Sequence, residues 1–458
     1  MVNPHVFRQY DIRGVVGRDL DTGFAEALGR AFGTMLVRRR GGGSGYTTAL
    51  GRDNRVTSDD LAAGIRRGLV AAGIHVIDVG TVPTPVLSFA AAELGTDGAI
   101  QVTGSHNPPE YNGFKLTIDG RSLYGQAIQD LRALIESEGF VSGEGTTERR
   151  DMMPQYIESV AKRFPVQRPV KVVLDCGNGT GSLVGVDLLR AMGPQVEVVP
   201  LYCESDGTFP NHHPDPVVDA NLQDLIAEVR RTHADLGIAF DGDADRIGAV
   251  DDRGEIVRGD ILVLLFGLDL LERKGPGQKV VFDVKCSQAL PEVLSAAGGV
   301  PIMSATGHSL IKQRMKQENA PLAGELSGHI MFGEDYYGFD DALYAAALLI
   351  SILSRMEQPL SQRLQEFPRY YSTPELRYAT TEEEKFDIVR RAVEHFRGSY
   401  EVVDVDGARV LFGDGWGLIR ASNTEPVLVG RFEARTPERL GEIRDQMESW
   451  LRDQGIST

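Results

Sequence analysis

The stretch 170-VKVVLDCGNGTGSLVGVDLLRAMG decides the fold class, together with 235-DLGIAFDGDADRIG further along the chain. The first piece is an apolar, β-branched segment that passes through a polar loop into an amphipathic helix. The second piece is another apolar segment, which ends in a loop of carboxylates. Strands that alternate with helices at this spacing predict parallel or mixed sheets covered by helices.

The same order of elements occurs twice more in the chain. The segment 46-YTTALGRDNRVTSDDLAAGIRRGLVAAG precedes 98-GAIQVTGSHNPPEYNG, and 279-KVVFDVKCSQALPEVLSAAGG precedes 321-PLAGELSGH. In such units the loops that bind ligands lie at the carboxyl ends of the strands. The sequence therefore predicts three similar α/β domains of mixed sheet flanked by helices.

The last part of the chain has a different pattern. Thr381 and Glu384 form a capping box before a helix, short apolar strands follow, and Thr436 with Pro437 marks the start of a final helix. This order predicts a smaller α+β domain at the C-terminus. The expected domain boundaries are 1–146, 147–250, 251–367 and 368–458.

The composition excludes several classes of function. A formal net charge of −17 argues against general nucleic-acid binding, because the phosphate backbone favours basic surfaces. The apolar runs 261-ILVLLFGLDLL and 342-ALYAAALLISIL are shorter than the ~18 residues of a membrane span, so we expect buried helices. Three scattered cysteines without a CxxC pair and a charged N-terminus predict a cytoplasmic protein without a membrane partner.

The loop 103-TGSHNPPEYNGFK places a serine directly after an apolar strand. Its prolines restrict the backbone and its Asn-Gly pair permits a tight turn, so Ser105 is expected on a rigid, presented loop. A plain polar turn would use the same residue types. Lys115 on the far side of the loop favours an anionic adduct on the serine.

The loop 241-DGDADRIG carries alternating carboxylates between two apolar segments. Three hard oxygen ligands on one turn suit magnesium. An EF-hand does not match, because its sixth position would be glycine and is Arg246, and its twelfth would be glutamate and is Asp252. A dinucleotide fingerprint at 175-DCGNGTGS also fails, since Ser182 stands at its third glycine position. That loop is expected to be structural.

Two further loops could bind a sugar phosphate. The segment 324-GELSGH, with 306-TGHS before it, offers Glu and Ser among glycines for hydroxyl groups. The segment 420-RASNTEP supplies charged and neutral donors for a phosphate, and a simple hairpin turn is an equally good interpretation.

In this order, the motifs FRQYDIRG at 7–14, TGSHNP at 103–108, DGDADRIG at 241–248, GELSGH at 324–329 and RASNTEP at 420–426 resemble the α-D-phosphohexomutase family. The resemblance covers nearly the whole chain and points to the phosphomannomutase/phosphoglucomutase branch. It implies four domains around a central cleft, a phosphoserine, Mg²⁺, and a hexose 1,6-bisphosphate that is both intermediate and primer. Leu326 stands where this branch often has Met, which leaves Glu325 and Ser327 intact.

The resemblance also implies roles for individual residues. Ser105 would carry the phosphoryl group, and its phosphate would bind the metal together with Asp241, Asp243 and Asp245. The residues expected around the reacting phosphate are Arg13, Lys115, Arg246 and His308. His308 is the first candidate for general base and His106 the second. The residues expected to bind substrate are Tyr10, His106, Lys285, Glu325, Ser327, His329, Arg420, Ser422, Asn423 and Thr424.

These observations predict an isomerase that interconverts hexose 1-phosphates and hexose 6-phosphates of mannose, glucose or both. The expected partner is a small phosphosugar, and the expected state is a monomer or weak homo-oligomer. Phosphoglucosamine mutase is the nearest alternative within the fold. A non-catalytic phosphosugar sensor would need neither the serine nor the three aspartates, and a metal-dependent phosphatase could use the same serine.

Overall fold

The computed structural model describes residues 3–423 and 425–458. The chain divides into two compact units. The first unit runs to Gly259 and also takes in Ser327–Ser361. The second unit consists of Asp260–Leu326 and Gln362–Thr458.

The first part of the chain folds as a mixed sheet covered by helices. Its strands are β1 (Ile12–Val15), β2 (Thr47–Arg52), β3 (His75–Thr81), β4 (Gly98–Val102), β5 (Tyr111–Ile118), β6 (Arg121–Ser122) and β7 (Thr147–Arg149). Its helices are α1 (Thr22–Arg39), α2 (Ser58–Ala71), α3 (Thr84–Glu93) and α4 (Gln126–Glu136), after a short 3₁₀ helix at Pro4–Val6. The strand order is β1-β5-β4-β2-β3-β7, with β6 beside β5. Strand β2 is parallel to β3 and β4, and β4 is antiparallel to β5.

The next part builds a second mixed sheet in the same unit. Its elements are α5 (Met153–Ala161), β8 (Val170–Asp175), α6 (Gly185–Ala191), β9 (Val196–Leu201), α7 (Gln223–Thr232), β10 (Leu236–Phe240), β11 (Ile247–Asp251) and β12 (Ile256–Val257), with 3₁₀ helices at Thr180–Leu183 and Asp219–Leu222. The strand order is β12-β11-β10-β8-β9. Strand β8 is parallel to β9 and β10, and β10 and β11 form an antiparallel pair joined by residues 241–246.

The third part alternates strands and helices again. Its elements are α8 (Gly259–Lys274), β13 (Lys279–Asp283), α9 (Ala289–Ala296), β14 (Val300–Ser304), α10 (His308–Glu318), β15 (Leu322–Gly324), β16 (Ile330–Phe332), α11 (Ala342–Arg355) and α12 (Leu360–Leu364). Strand β13 pairs in parallel with β14 and β15. Helices α8 and α11 contain the two long apolar runs.

The C-terminal part is an antiparallel sheet with helices. Its elements are β17 (Tyr371–Ser372), β18 (Leu376–Ala379), α13 (Lys385–Arg397), β19 (Glu401–Val403), β20 (Ala408–Leu411), β21 (Gly415–Ala421), β22 (Val427–Ala434) and α14 (Pro437–Asp453). The strand order is β17-β22-β21-β20-β19, with β18 beside β22. Apolar residues of α13, α14 and the sheet form one core.

The expected fold class is confirmed. The cap at Thr436 occurs as predicted, since the Arg439 N–H donates to Thr436 Oγ1 at 3.2 Å. The capping box expected at Thr381 forms only in part: the Glu384 N–H donates to Thr381 Oγ1 at 3.2 Å, but helix α13 begins at Lys385 and its N-cap residue is Glu384. The 175–182 segment is a turn from β8 into a 3₁₀ helix, in agreement with its expected structural role. Within residues 3–423 and 425–458, no helix combines the length and the hydropathy needed to cross a membrane.

Candidate active site

Ser105 lies in the loop between β4 and β5, and it adopts a strained backbone conformation. Its φ is +49°, in the left-handed region that residues with a side chain rarely occupy. The Ser105 N–H donates to Thr103 Oγ1 at 2.8 Å, and the residue is only 2% exposed. The surrounding structure must therefore stabilise a conformation that the chain alone would avoid.

Arg55 supplies much of this stabilisation. Its guanidinium donates to four backbone carbonyls of the loop, those of Ser105 (2.8 Å), Asn107 (2.6 Å), Pro108 (2.6 Å) and Tyr111 (3.1 Å). Arg55 Nε donates to Asp53 Oδ2 at 3.1 Å. Because the side chain is fully buried, each of these hydrogen bonds forms away from water.

The aspartate loop, residues 241–246, follows β10 and lies directly against the serine loop, residues 103–110. Ser105 Oγ donates to Asp241 Oδ2 at 2.9 Å, and His106 Nδ1 lies 3.1 Å from the same hydroxyl. Gly242 permits this approach, because a Cβ there would collide with the Ser105 carbonyl oxygen. The structure thus places the candidate nucleophile within hydrogen-bond distance of the acidic loop.

The three aspartates are buried together. Burial, followed by the charges of Asp243 and Asp245, raises the pKa of Asp241 well above its usual range. Burial opposes ionisation of Asp245 as well, but the charges of Lys115, His329 and Arg246 hold its pKa well below the usual range. Lys115 Nζ contacts Asp243 Oδ2 at 2.6 Å and Asp245 Oδ2 at 2.5 Å. Lys115 therefore contacts two of the three carboxyl groups directly.

These residues fit a hard divalent cation. Each of Asp241, Asp243 and Asp245 offers a carboxylate oxygen, and the three oxygens lie within 4.8 Å of one another. Asp243 Oδ1 is buried and accepts no hydrogen bond, and the buried Asp245 Oδ1 lies 3.4 Å from His329 Nε2. Buried carboxylate oxygens without a donor are costly unless another positive group binds them, and oxygen ligands suit Mg²⁺.

Basic residues surround the serine loop. Arg13 Nη2 contacts Asp11 Oδ2 at 2.5 Å, and Arg13 Nη1 donates to Asn107 Oδ1 beside Ser105. Arg246 Nε lies 3.3 Å from His329 Nε2, and His329 Nδ1 lies 3.2 Å from Ser327 Oγ. Burial and then the charges of nearby arginines hold the pKa of the His106 imidazole well below its usual range. We call Ser105, Lys115 and the three aspartates the carrier site.

A second group of predicted residues lies in the other unit. Arg420 Nε contacts Asp406 Oδ2 at 3.0 Å, and Lys285 Nζ contacts Glu375 Oε1 at 2.6 Å. Burial acts to lower the pKa of Lys285, but the charges of Glu375 and Asp283 and the hydrogen bond to Glu375 together raise it above its usual value. The sequence predicts that Lys285, Arg420, Ser422 and Asn423 bind substrate, and we refer to these four as the phosphate-binding residues on the basis of that prediction.

Arg409 holds the turn that carries Lys285. Its Nη1 donates to the carbonyls of Val284 (2.5 Å) and Cys286 (2.9 Å), on either side of Lys285. Its guanidinium also lies over the Trp416 ring, 3.8 Å from the centroid, and Trp416 Nε1 donates to Glu433 at 2.8 Å. A buried arginine on β20 thus fixes the backbone around Lys285, a residue predicted to bind substrate.

The segment 324-GELSGH runs from the second unit into the first along the chain. Glu325 is buried in the second unit, where its Oε1 accepts from the Gly307 N–H at 2.6 Å. His308 begins α10, next to Gly307. Ser327 and His329 belong to the first unit.

The structure groups the predicted residues into two sets. The first unit holds Tyr10, Arg13, Ser105, His106, Lys115, Asp241, Asp243, Asp245, Arg246, Ser327 and His329. The second holds Lys285, His308, Glu325, Arg420, Ser422 and Asn423, while Thr424 lies outside the described residues.

Sequence reasoning did not identify Arg55, Asp53, Glu375, Asp406 or Arg409. A signal existed for Arg55, because 53-DNR follows strand β2, whose carboxyl end lies beside that of β4. The acidic partners gave no such signal, since Glu375 and Asp406 occur in ordinary loop sequence.

Family models match nearly all of the chain. They are described as phosphoglucomutase/phosphomannomutase alpha/beta/alpha domain I at residues 4–142, domain II at 154–254, domain III at 258–371 and the C-terminal domain at 375–449.

Individual relatives agree with these matches. The chain is 46% identical to a phosphomannomutase/phosphoglucomutase of Pseudomonas aeruginosa over 98% of this chain and 95% of that protein. It is 44% identical to a phosphoglucomutase of Neisseria meningitidis over 97% and 96%. A crystal structure of a phosphoglucomutase/phosphomannomutase family protein from Burkholderia thailandensis superposes with a TM-score of 0.91 at 42% identity, over 99% of this chain and 98% of that one.

Proposed function

Because the chain belongs to the phosphoglucomutase/phosphomannomutase family and is an isomerase, we propose that it moves a phosphoryl group between O1 and O6 of a hexose through a phosphorylated Ser105. The two oxygens of one hexose are too far apart for direct transfer. A covalent carrier divides the reaction into two steps, with a hexose 1,6-bisphosphate between them. The substrates are the phosphates of mannose, glucose or both.

One observation carries this proposal. Ser105 Oγ is 2.9 Å from Asp241 Oδ2, within a buried group of three carboxylates in which Asp243 Oδ1 accepts no hydrogen bond. A protein that only bound phosphosugars would not need a buried serine in a strained conformation beside such a cluster. The arrangement supports phosphoryl transfer to and from the serine.

Asp241, Asp243 and Asp245 would hold Mg²⁺. When bound, the ion supplies positive charge that stabilises the phosphoryl group during transfer and the serine oxygen as it leaves. Lys115, Arg13 and Arg246 add positive potential around the same oxygens. Arg13 is buried and the other two are half-buried, and partial exclusion of water strengthens each interaction. Arg55 fixes the loop so that Oγ keeps one position while the phosphoryl group arrives and departs.

Lys285 and Arg420 would bind the phosphate that does not react. Lys285 contacts Glu375 at 2.6 Å and Arg420 contacts Asp406 at 3.0 Å, and a dianionic phosphate could replace Glu375 or Asp406 as the partner. Ser422 and Asn423 would add neutral donors. Glu325, Ser327 and His329 would contact sugar hydroxyls, and His308 stays the first candidate for the general base.

Intact mass measurement tests the carrier. Purified protein is incubated with Mg²⁺ and glucose 1,6-bisphosphate, and we expect a gain of one phosphoryl group that maps to the peptide with Ser105. Addition of glucose 1-phosphate or mannose 1-phosphate should then give the 6-phosphate without stoichiometric release of inorganic phosphate. Absence of phosphoryl transfer to Ser105 in an enzyme that turns over would refute the mechanism.

The same assay decides the sugar. Turnover of mannose 1-phosphate, glucose 1-phosphate and glucosamine 1-phosphate is compared at equal concentrations. A clear preference for the amino sugar would show a phosphoglucosamine mutase instead. Free phosphate formed at the rate of substrate loss would show a phosphatase.

A further inference from the structure

Two cysteines lie side by side behind the aspartate loop. Cys176 follows β8 and Cys203 lies two residues beyond β9, and these strands are parallel neighbours. The Cys203 Sγ is 3.0 Å from the Cys176 Sγ. Both are free thiols in this structure. Because the two cysteines are far apart in sequence, a search for CxxC motifs does not detect this pair.

The two thiols differ in a way that suits stepwise oxidation. Cys176 is fully buried, and burial raises the pKa of its thiol well above the usual range. Cys203 is half-buried, and its hydrogen bond with Cys176 lowers the pKa of its thiol. A thiolate is the reactive form, so Cys203 is the sulfur that a small oxidant meets first.

The segment after Cys176 contacts the metal-binding loop. The Thr180 N–H donates to the Gly242 carbonyl at 2.9 Å, and Gly242 lies between Asp241 and Asp243. The Asn178 N–H donates to the Tyr202 carbonyl at 2.9 Å, and the Gly179 N–H donates to the Cys176 carbonyl at 2.8 Å. Backbone hydrogen bonds therefore connect both cysteine segments to the carrier site.

We propose that Cys176 and Cys203 form a reversible oxidation site. A small-molecule disulfide such as oxidised glutathione oxidises the two thiols to an intramolecular disulfide, and this bond shifts the backbone between Cys176 and Thr180 that supports the aspartate loop. The Cys203 thiolate attacks one sulfur of the oxidant and releases one glutathione thiolate. Cys176 then gives up its proton, its thiolate attacks the Cys203 sulfur, and the second glutathione departs as a thiolate that takes up the proton. Two protein thiols are oxidised and one disulfide is reduced to two thiols, so atoms and electrons balance.

The bond requires a movement of about 1 Å, because an S–S bond is roughly 2.0 Å long and the sulfurs now lie 3.0 Å apart. Cys176 sits in a closely packed core, so part of this movement passes to the backbone that leads to Thr180. We expect the oxidised enzyme to turn over several-fold more slowly than the reduced enzyme. This expectation of slower turnover rests on the proposed function.

Thiol counting and peptide mapping test the site directly. Reduced protein is incubated with oxidised glutathione, denatured and titrated, and we expect the number of free thiols to fall from three to one. A non-reducing peptide map should link the peptides that contain Cys176 and Cys203. Dithiothreitol should restore both the thiols and the turnover. A stable glutathione adduct on Cys203, without a link to Cys176, would overturn the proposal.

Two variants serve as controls. Cys203→Ser should retain the turnover of the reduced enzyme and lose its sensitivity to oxidised glutathione. Cys286→Ser removes the third thiol, and that variant should still form the linked peptides and slow relative to its own reduced form. A linked protein with unchanged turnover would refute the coupling to the aspartate loop. A reduced protein without mutase turnover would refute the proposed function, while the peptide map would still decide on the disulfide.

Discussion

The carrier site and the phosphate-binding residues use their cations in different ways. In the carrier site, Lys115 contacts two buried carboxylates, and all the donors of Arg55 are used within the protein. Among the phosphate-binding residues, Lys285 and Arg420 each have an ion-pair contact under 3.5 Å with one acid, Glu375 or Asp406. The first arrangement is preorganised, whereas the second can exchange its partners.

This difference matches two different tasks. A group that transfers phosphate must keep its geometry through the reaction, since electrostatic stabilisation is strongest when no reorganisation is needed. Residues that bind either phosphate of a hexose 1,6-bisphosphate intermediate, which must turn around between the two steps, have to bind that phosphate and then release it. We therefore expect changes in the carrier site to lower kcat, and changes among the phosphate-binding residues to raise KM.

Ser105→Ala provides the sharpest test of this contrast and the largest effect. Removing the nucleophile should lower kcat by several orders of magnitude and abolish the phosphorylated protein in the mass spectrum. Steady-state kinetics with glucose 1-phosphate measures the loss. Ser137→Ala, at an exposed helix end, is the control and should retain normal turnover. A Ser105→Ala variant with near-normal turnover would remove the basis for a carrier site.

Arg55→Lys tests whether the loop must be preorganised. One ammonium cannot donate to four carbonyls, so the serine should lose its fixed position and kcat should fall about 10²-fold. KM should change little, because Arg55 reaches only protein groups. Arg52→Lys, three residues earlier and paired with Asp78 and Asp59, is the matched control. Equal losses in both variants, or a rise in KM alone, would contradict the positioning role.

Arg420→Ala tests the phosphate-binding residues, whose cations can exchange their acidic partners. Loss of a charged hydrogen bond to phosphate costs about 1.5–3 kcal/mol, so KM should rise roughly tenfold or more with a smaller change in kcat. Phosphorylation of Ser105 by glucose 1,6-bisphosphate should still occur. Arg397→Ala, an exposed ion pair with Asp404, is the control. A variant that lost kcat without a change in KM would place Arg420 with the carrier site instead.

Asp341→Asn should have the smallest effect on turnover, but a clear effect on stability. Burial raises the pKa of Asp341 to about 6, although the Tyr344 N–H and the Tyr336 and Tyr156 hydroxyls favour its ionised form. The folded protein therefore binds this proton more tightly than the unfolded chain does. Its contribution to stability is present below pH ~4 and is lost as the pH rises to about 6, by roughly 3 kcal/mol in total.

Urea unfolding followed by far-UV circular dichroism measures this contribution. Between pH 4 and 6.5, the stability of the wild type should fall relative to that of Asp341→Asn. Asp187→Asn, an exposed aspartate of α6, should follow the wild type. A constant difference between the wild type and Asp341→Asn across this range would show that Asp341 does not titrate there.

Much of the fold could be predicted from local pattern. The three α/β units, the α+β end of the chain, the cap at Thr436 and the buried helices at the two apolar runs all follow from periodicity and turn chemistry. Domain boundaries at 147, 251 and 368 stay predictions, because loops between similar units carry no distinct signal. Nor could the sequence indicate that 327–361 belongs with the first unit.

The site was predictable where function needs rare residue combinations. The serine loop and the aspartate triplet could be recognised in the sequence because each places its functional residues close together, at fixed spacings within one short segment. Arg55, Glu375 and Asp406 could not be found in the same way, because their importance arises from partners far away in sequence. Their pairing is a property of the packed chain, and a single sequence does not report it.

The environment of Trp416 determines what fluorescence can observe. The chain has two tryptophans, Trp416 in β21 and Trp450 in α14, and both belong to the second unit. Trp416 is fully buried beneath Arg409, and Trp450 is only 8% exposed. Tryptophan emission will therefore report the unfolding of the second unit and will not report that of the unit that contains Ser105. Unfolding of the first unit must be followed through tyrosine fluorescence or amide circular dichroism.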